Sequence, residues 1–243
     1  MSPEISKRVV GLEDGKLVIR EDYLSQQPET TGTESVTDAS DPAINYDGTA
    51  LACLGDTGRS LYFFSGGKGQ YLVKNKKMTA PSFDSFGWLW VAESDGAVRA
   101  YNAASTNEKE RSKGIEIPVS WRSGMTFSSL RISHDGARVV VVGTRDGTAA
   151  VVMSGVVRDS SGTPKGFTEP VRVTSSITPR TAVWAGEQNL VVVNDKTGES
   201  EVTTLSGEET KFDRLDGVKS VSAAGNTSNM LAHRSDGSCY VLE

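Results

Sequence analysis

Residues 133–147 read SHDGARVVVVGTRDG, with an Asp-Gly pair at each end of a valine run. Two carboxyl groups in one pocket could serve as acid and nucleophile, or acid and base, in glycoside hydrolysis. The competing reading is a turn, because Asp-Gly between strand-like runs is among the strongest local hairpin signals. Residues 137–142 cover ~20 Å when extended at ~3.3 Å per residue. That span puts Asp135 and Asp146 at opposite ends of one strand, out of reach of each other. Both read as turn residues.

Other chemistries are weighed in the same way. Ser65-Gly-Gly-Lys68 matches the Ser-x-x-Lys of penicillin-recognising enzymes, and Lys196-Thr-Gly198 matches their second motif. That chemistry needs the serine at a helix start beside an activating lysine. SGGKG is a glycine-rich link between strands with no helix after it, so the match is a chance one. Of the two histidines, His134 falls in a turn and His233 in a strand. Neither has a Ser or Cys partner in a recognisable motif, and both read as structural. Glu108/Glu110, Glu199/Glu201 and Glu208/Glu209 sit in polar turns or outer strands and read as solvated faces. No Asp-x-Asp-x-Asp-Gly calcium loop occurs. Cys53 and Cys239 are too few for a disulfide scaffold and lie in no metal-ligand spacing. They read as small buried side chains, in blades too far apart for easy bridging.

The elements that would position any site follow from the turns. Asp-Gly occurs seven times, at Asp14, Asp47, Asp95, Asp135, Asp146, Asp216 and Asp236. Hairpin turns at 14, 56, 95, 146, 195 and 236 recur every 39 to 51 residues, each flanked by apolar runs. A period near 40–45 built from strands alone is that of propeller blades. The long fourth step, from 146 to 195, contains VVRDSSGTPKGFTEP, a polar excursion. A second series of turns, in INYDGTALA, FDSFGWLW, ISHDGARVV, WAGEQNLVV and AAGNTSNMLA, precedes the hairpins and links each inner strand to its neighbour. Val139 to Val142, Leu190 to Val193 and Leu61 to Phe64 are apolar at every position, so both strand faces must be covered. YNAASTNEKERSKG at 101–114 is polar all round and reads as an exposed loop or outer hairpin. The expectation is an all-β fold, a β-propeller of about six four-stranded blades in a single domain over 1–243, with the first and last blades incomplete.

The totals exclude several classes. The 243 residues carry a net charge of −5 with both signs interspersed, which offers no footprint for nucleic acid. No run approaches the ~18–20 apolar residues of a membrane helix, and no signal segment opens the chain. Candidate inner strands offer Asn45, Asp84, Arg131 and Ser222, but no convergent carboxylates for a lactonase-like metal centre. No catalytic, metal or cofactor residues are therefore assigned. Trp88, Trp90 and Trp184 read as core between blades. Trp121 differs, because IPVSWRSGM joins two blades and places Arg122 beside it. Trp121 and Arg122 are the candidate partner-binding residues, since such pairs make contact hot spots.

PSFDSFGWLWV, SLRISHDGARVVVVGT, SGVVRDSSGTPKGFTEPVRVT and TAVWAGEQNLVVV resemble, in this order, the propeller domain of the actinobacterial LpqB lipoprotein family. The resemblance covers roughly residues 36–243 and is most specific in the middle two segments. It implies an extracytoplasmic protein held to the cell membrane by a lipid anchor, as the C-terminal part of a longer lipoprotein. The family's signal peptide, lipid-bearing cysteine and N-terminal GerMN-type domain have no counterpart in these residues. It implies further a non-enzymatic, monomeric binding module that assists a two-component system through the sensor part of an MtrB-like histidine kinase, in envelope upkeep and cell division. An envelope glycan binder or hydrolase is the alternative, with a lactonase-type metal enzyme behind it.

Overall fold

A strand that is apolar at every position has no face to offer to water and must lie between two other sheets. The computed structural model describes residues 8–13, 16–20, 36, 38–173, 175–204, 209–210, 217–223, 230–234, 236 and 238–242. The turns at Asp14 and Asp216 and the side chain of Cys239 lie outside the described residues. The chain divides into two compact units, residues 1–116 and 117–243.

In the first unit, β1 (Val9–Glu13) and β2 (Lys16–Arg20) pair antiparallel as sheet one. Sheet two is the meander β3 (Ser40–Ile44), β4 (Ala50–Gly55), β5 (Ser60–Ser65) and β6 (Lys68–Val73). Sheet three follows with β7 (Ser82–Phe83), β8 (Trp88–Ala92), β9 (Val98–Asn102) and β10 (Ile115–Ile117), the last ending at the unit boundary. Strand alternation sends β4 both ways. Leu51 and Cys53 join Leu17 and Ile19 of β2, while Ala52 and Leu54 join Leu89 and Val91 of β8.

The second unit repeats the plan. Sheet four holds β11 (Met125–Ile132), β12 (Arg138–Arg145), β13 (Thr148–Arg158), β14 (Pro164–Phe167) and β15 (Val171–Val173). Sheet five holds β16 (Thr181–Ala185), β17 (Asn189–Asn194), β18 (Glu199–Thr204) and β19 (Glu209–Thr210). Sheet six holds β20 (Val218–Ala223), β21 (Met230–Arg234) and β22 (Cys239–Leu242). Here β17 is the divided strand. Leu190 and Val192 pack with Val140 and Val142 of β12, and Val191 and Val193 pack with Val218 and Val221 of β20. Each such side chain contributes about 1.5–3 kcal/mol on full burial.

The structure refines three expectations. Among the described Asp-Gly pairs only Asp146-Gly147 is a two-residue hairpin turn with both central φ angles positive, 51° and 79°, closed by the Arg145↔Thr148 pair. At Asp47, Asp95 and Asp135 only the glycine is left-handed. There the aspartate accepts the N–H two residues on, from Thr49, Ala97 and Ala137. These are Asx turns, and the side chain does the bending.

Residues 108–113 correct the expected loop: they form a helix, α1 (Glu108–Lys113). Asn107 caps its first N–H groups, acidic residues fill the first turn and basic ones the last. Arg111 then anchors it, donating to Gln70 Oε1 and the Ser105 carbonyl and lying over the Phe63 ring at 5.3 Å. Gly114 ends it with φ 56°, where a Cβ would meet the Tyr101 ring at 2.6 Å.

The polar excursion is a hairpin. β13 runs past β12, and β14 folds back on it through the pairs Val156↔Phe167 and Val157↔Gly166. β15 then pairs lower on the same edge, at Val151 to Met153, so this sheet has five strands instead of four.

Val191→Asp and Val192→Asp are expected to unfold the protein alike at room temperature in a denaturant titration, because each buries a charge in a different inter-sheet core. Tolerance of either one would mean that β17 has a wet face. Asp146→Gly should change stability by less than about 0.5 kcal/mol, since no side-chain bond is lost, whereas Gly147→Val should cost more than about 1 kcal/mol through its positive φ. Thermal melts of the two variants check this.

Candidate functional site

Of the polar residues proposed for inner strands, Asp84 and Asn45 are held by local structure. Asp84, 4% exposed, accepts the Phe86 and Trp88 N–H groups on Oδ1 and the Trp90 indole N–H on Oδ2 at 2.8 Å. Asn45 caps its own turn through the Ala50 N–H. Arg131 donates to the Leu130 carbonyl, and Ser222 is exposed on β20. Ser65 and Lys68 are paired across the β5–β6 turn, with Gly66 and Gly67 both left-handed and no helix following. Lys196-Thr197 lies in a turn capped by Asn194 Oδ1. His233 is exposed on β21 and His134 sits in the β11–β12 turn. Trp90 and Trp184 are buried as expected, but Trp88 is only half-buried. Among the described residues no group of three or more His, Cys, Asp or Glu comes together. Cys53 is a free buried thiol whose pKa burial pushes up to about 12, so it is inert at neutral pH.

Trp121 is the expected contact residue, and the hairpin changes its setting. Residues 119–125 make two tight turns, Arg122 N–H to the Val119 carbonyl and Met125 N–H to the Arg122 carbonyl. These turn the half-buried indole toward Phe127 of β11 and Phe167 of β14, with centroids 6.0 and 6.3 Å away. Arg145 Nη2 donates to the Trp121 carbonyl and fixes the loop. The indole is therefore wedged between sheet and hairpin. Its Nε1 is buried and has no acceptor among the described residues. A buried donor without a partner costs about 1–3 kcal/mol. Arg122 beside it is half-buried and has no side-chain partner among the described residues. Two exposed valines, Val157 (43%) and Val171 (61%), add apolar surface on β13 and β15.

The hairpin tip is built by Asp159. Its Oδ1 accepts Ser161 N–H, Ser161 Oγ–H and Thr163 N–H, and Lys165 Nζ lies 3.1 Å from Oδ2. The Ser161 hydroxyl first, with Lys165 and the two N–H groups, holds this carboxyl well below the usual range against the desolvation that opposes them.

Asp135 and Asp146 flank β12, as the spacing required, and form no pair. The turn that lies against Asp135 is the β16–β17 turn of the next sheet, which carries Glu187. Ser133 Oγ and the Ala137 N–H donate to Asp135 Oδ1, and Arg138 Nη1 bridges, 3.5 Å from Asp135 Oδ2 and 3.2 Å from the Glu187 carbonyl. Burial raises the Asp135 pKa, but the Ser133 hydroxyl, the Ala137 N–H and Arg138 outweigh it and hold this carboxyl low. Burial, then the Asp135 charge, pushes Glu187 up. Sequence reasoning missed Glu187. The signal was available, since ISHDGARVV and WAGEQNLVV are equivalent turns of consecutive repeats, and equivalent turns of adjacent sheets come side by side.

The family model described as the lipoprotein LpqB beta-propeller domain matches residues 15–240. Lipoprotein LpqB of Streptomyces avermitilis is 26% identical over 171 residues, which is 64% of this chain and 27% of that protein. Lipoprotein LpqB of Streptomyces coelicolor is 27% identical over 177 residues, with the same shares. The chain thus spans 27% of the length of these curated relatives. Among solved structures, a chain of a nidogen/laminin complex aligns with TM-score 0.67 at 10% identity, over 97% of this chain and 89% of its own. An oligogalacturonate lyase in complex with manganese aligns at 0.60 and 12%, over 97% and 73%. These two likenesses show the fold alone, which one of them lends to a complex and the other to an enzyme. With the family model matching from sheet one through sheet six, this chain belongs to the LpqB β-propeller domain family.

Proposed function

We propose that this chain is a non-enzymatic binding module, the extracytoplasmic propeller of an LpqB-type accessory lipoprotein, and that it contacts the sensor region of an MtrB-like histidine kinase. Both compact units then serve one propeller domain, and a lipid on a segment outside these residues holds the protein to the cell membrane. The observation that carries the reading is the Trp121 surface, where an indole wedged between Phe127 and Phe167 keeps a buried N–H without an acceptor among the described residues. Trp and Arg side by side have the composition of a contact hot spot. Hydrolysis of an envelope glycan finds less support. It needs carboxyl groups ~5–10 Å apart with room for sugar or water between them, whereas Asp135 is tied up by the Ser133 hydroxyl, the Ala137 N–H and Arg138.

Binding of the purified chain to the kinase's extracytoplasmic sensor region, measured calorimetrically, tests this reading. Trp121→Ala should weaken binding by about tenfold or more and Arg122→Ala by less, with the melting temperature of the Arg122 variant unchanged. Equal affinity in both variants removes this surface from the reaction. Absence of binding by the unaltered chain removes the kinase as partner of this domain.

A further inference from the structure

In an Asp-Gly pair the backbone can attack its own side chain, because glycine has no Cβ to hinder the ring that results. The glycine amide nitrogen bonds to the aspartate Cγ, and the hydroxyl of the protonated carboxyl leaves with the amide hydrogen as water. Water then opens this five-membered succinimide at either carbonyl. Attack at Cγ restores aspartate. Attack at the former backbone carbonyl breaks its bond to nitrogen and leaves isoaspartate, with the chain running through the side chain. Water is the only co-reactant, and nothing is oxidised or reduced.

At three turns both reacting groups are occupied. Asp47, Asp95 and Asp135 accept the N–H groups of Thr49, Ala97 and Ala137. The glycine amides there also donate: Gly48 to the Asn45 carbonyl at 3.1 Å, Gly96 to Glu93 at 2.9 Å and Gly136 to Ser133 at 2.9 Å. Asp146-Gly147 has neither restraint. Its ladder ends at the Arg145↔Thr148 pair, and the two tip residues make no hydrogen bond to any described residue. Both are exposed, and nothing lies within 4 Å of where a Gly147 Cβ would stand. Rotating this tip into ring-closing geometry breaks no such bond, whereas each of the other three turns must give up two. We propose that Asp146-Gly147 is a modification site, the turn among these four that cyclises and passes to isoaspartate while the protein stays folded.

The product matters because of where the turn sits. Isoaspartate adds one backbone carbon to a link whose two residues set the register of β12 against β13. Arg145, in the closing pair, holds the Trp121 carbonyl at 2.9 Å. A longer tip displaces that pair and loosens the Trp121 loop. The consequence for partner binding rests on the function proposed above; the modification itself does not.

The test is to age the purified chain in warm, mildly acidic buffer, with circular dichroism confirming that it stays folded. Its peptides are then read by electron-transfer fragmentation, which separates isoaspartate from aspartate. Asp146 should isomerise about fivefold or more faster than Asp47, Asp95 and Asp135, the factor set by two hydrogen bonds kept or lost. In denaturant the four rates should converge. Asp146→Glu keeps the charge but would need a six-membered ring, so it should give no isomer at this turn and leave the other three rates unchanged. Asp146→Asn closes the same ring with loss of ammonia and should convert faster than the aspartate. Equal rates at the four turns of the folded chain, or a slower one at Asp146, overturn the site. A lead for Asp146 that persists in denaturant overturns it too, since the preference then lies in sequence and not in the turn. Isomerisation led by Asp146 in a chain that binds no kinase region even when fresh keeps the site and rejects the partner instead.

Discussion

Two-sided burial of the middle strands is the constraint on which everything else depends. β17 gives alternate residues to two separate cores, and β4 does the same in the first unit. A strand so placed can carry neither a catalytic side chain nor a ligand, because neither face meets solvent. Polar chemistry is driven to the strand ends, to the turns and to the outermost strands. That is why Asp84 and Asn45, polar candidates at inner strands, turned out to be local caps: Asp84 with its three donors is a device for holding a turn and an indole.

The same constraint decides what the sequence could reveal. Continuous valine runs state two-sided burial directly, and Asp-Gly states a turn directly, so sheets and hairpin positions were legible. Turn geometry was less so. Asp-Gly serves both the Asp146 hairpin turn and the Asx turns at Asp47, Asp95 and Asp135, which differ by the sign of one φ. The helix at Glu108–Lys113 was hidden because its stabilisation is not amphipathic. An asparagine cap, end charges and one arginine tied to Gln70, far off in sequence, produce it, and none of these leaves a 3.6-residue apolar rhythm.

Candidate sites were legible in proportion to how local their partners are. Trp121 and Arg122 stood out because they are adjacent in the chain. What the sequence could not convey is that β13 outruns β12, so that Phe167 returns to cover the indole. Glu187 was harder still, since its role exists only across two sheets. Its turn was recognised, yet the residue facing Asp135 there depends on the exact register of two repeats.

Repetition itself generates such pairs. When every repeat places a polar turn at the same height, neighbouring sheets bring those turns into contact, and the residue types there decide whether the contact attracts or repels. Asp135 is satisfied by its own turn, through Ser133 and Ala137, while burial and then the Asp135 charge push the Glu187 pKa up. The hairpin is footed on that same turn, at Gly136 and Ala137, and its return strand covers Trp121, so one polar turn both faces the next sheet and carries the segment over the indole.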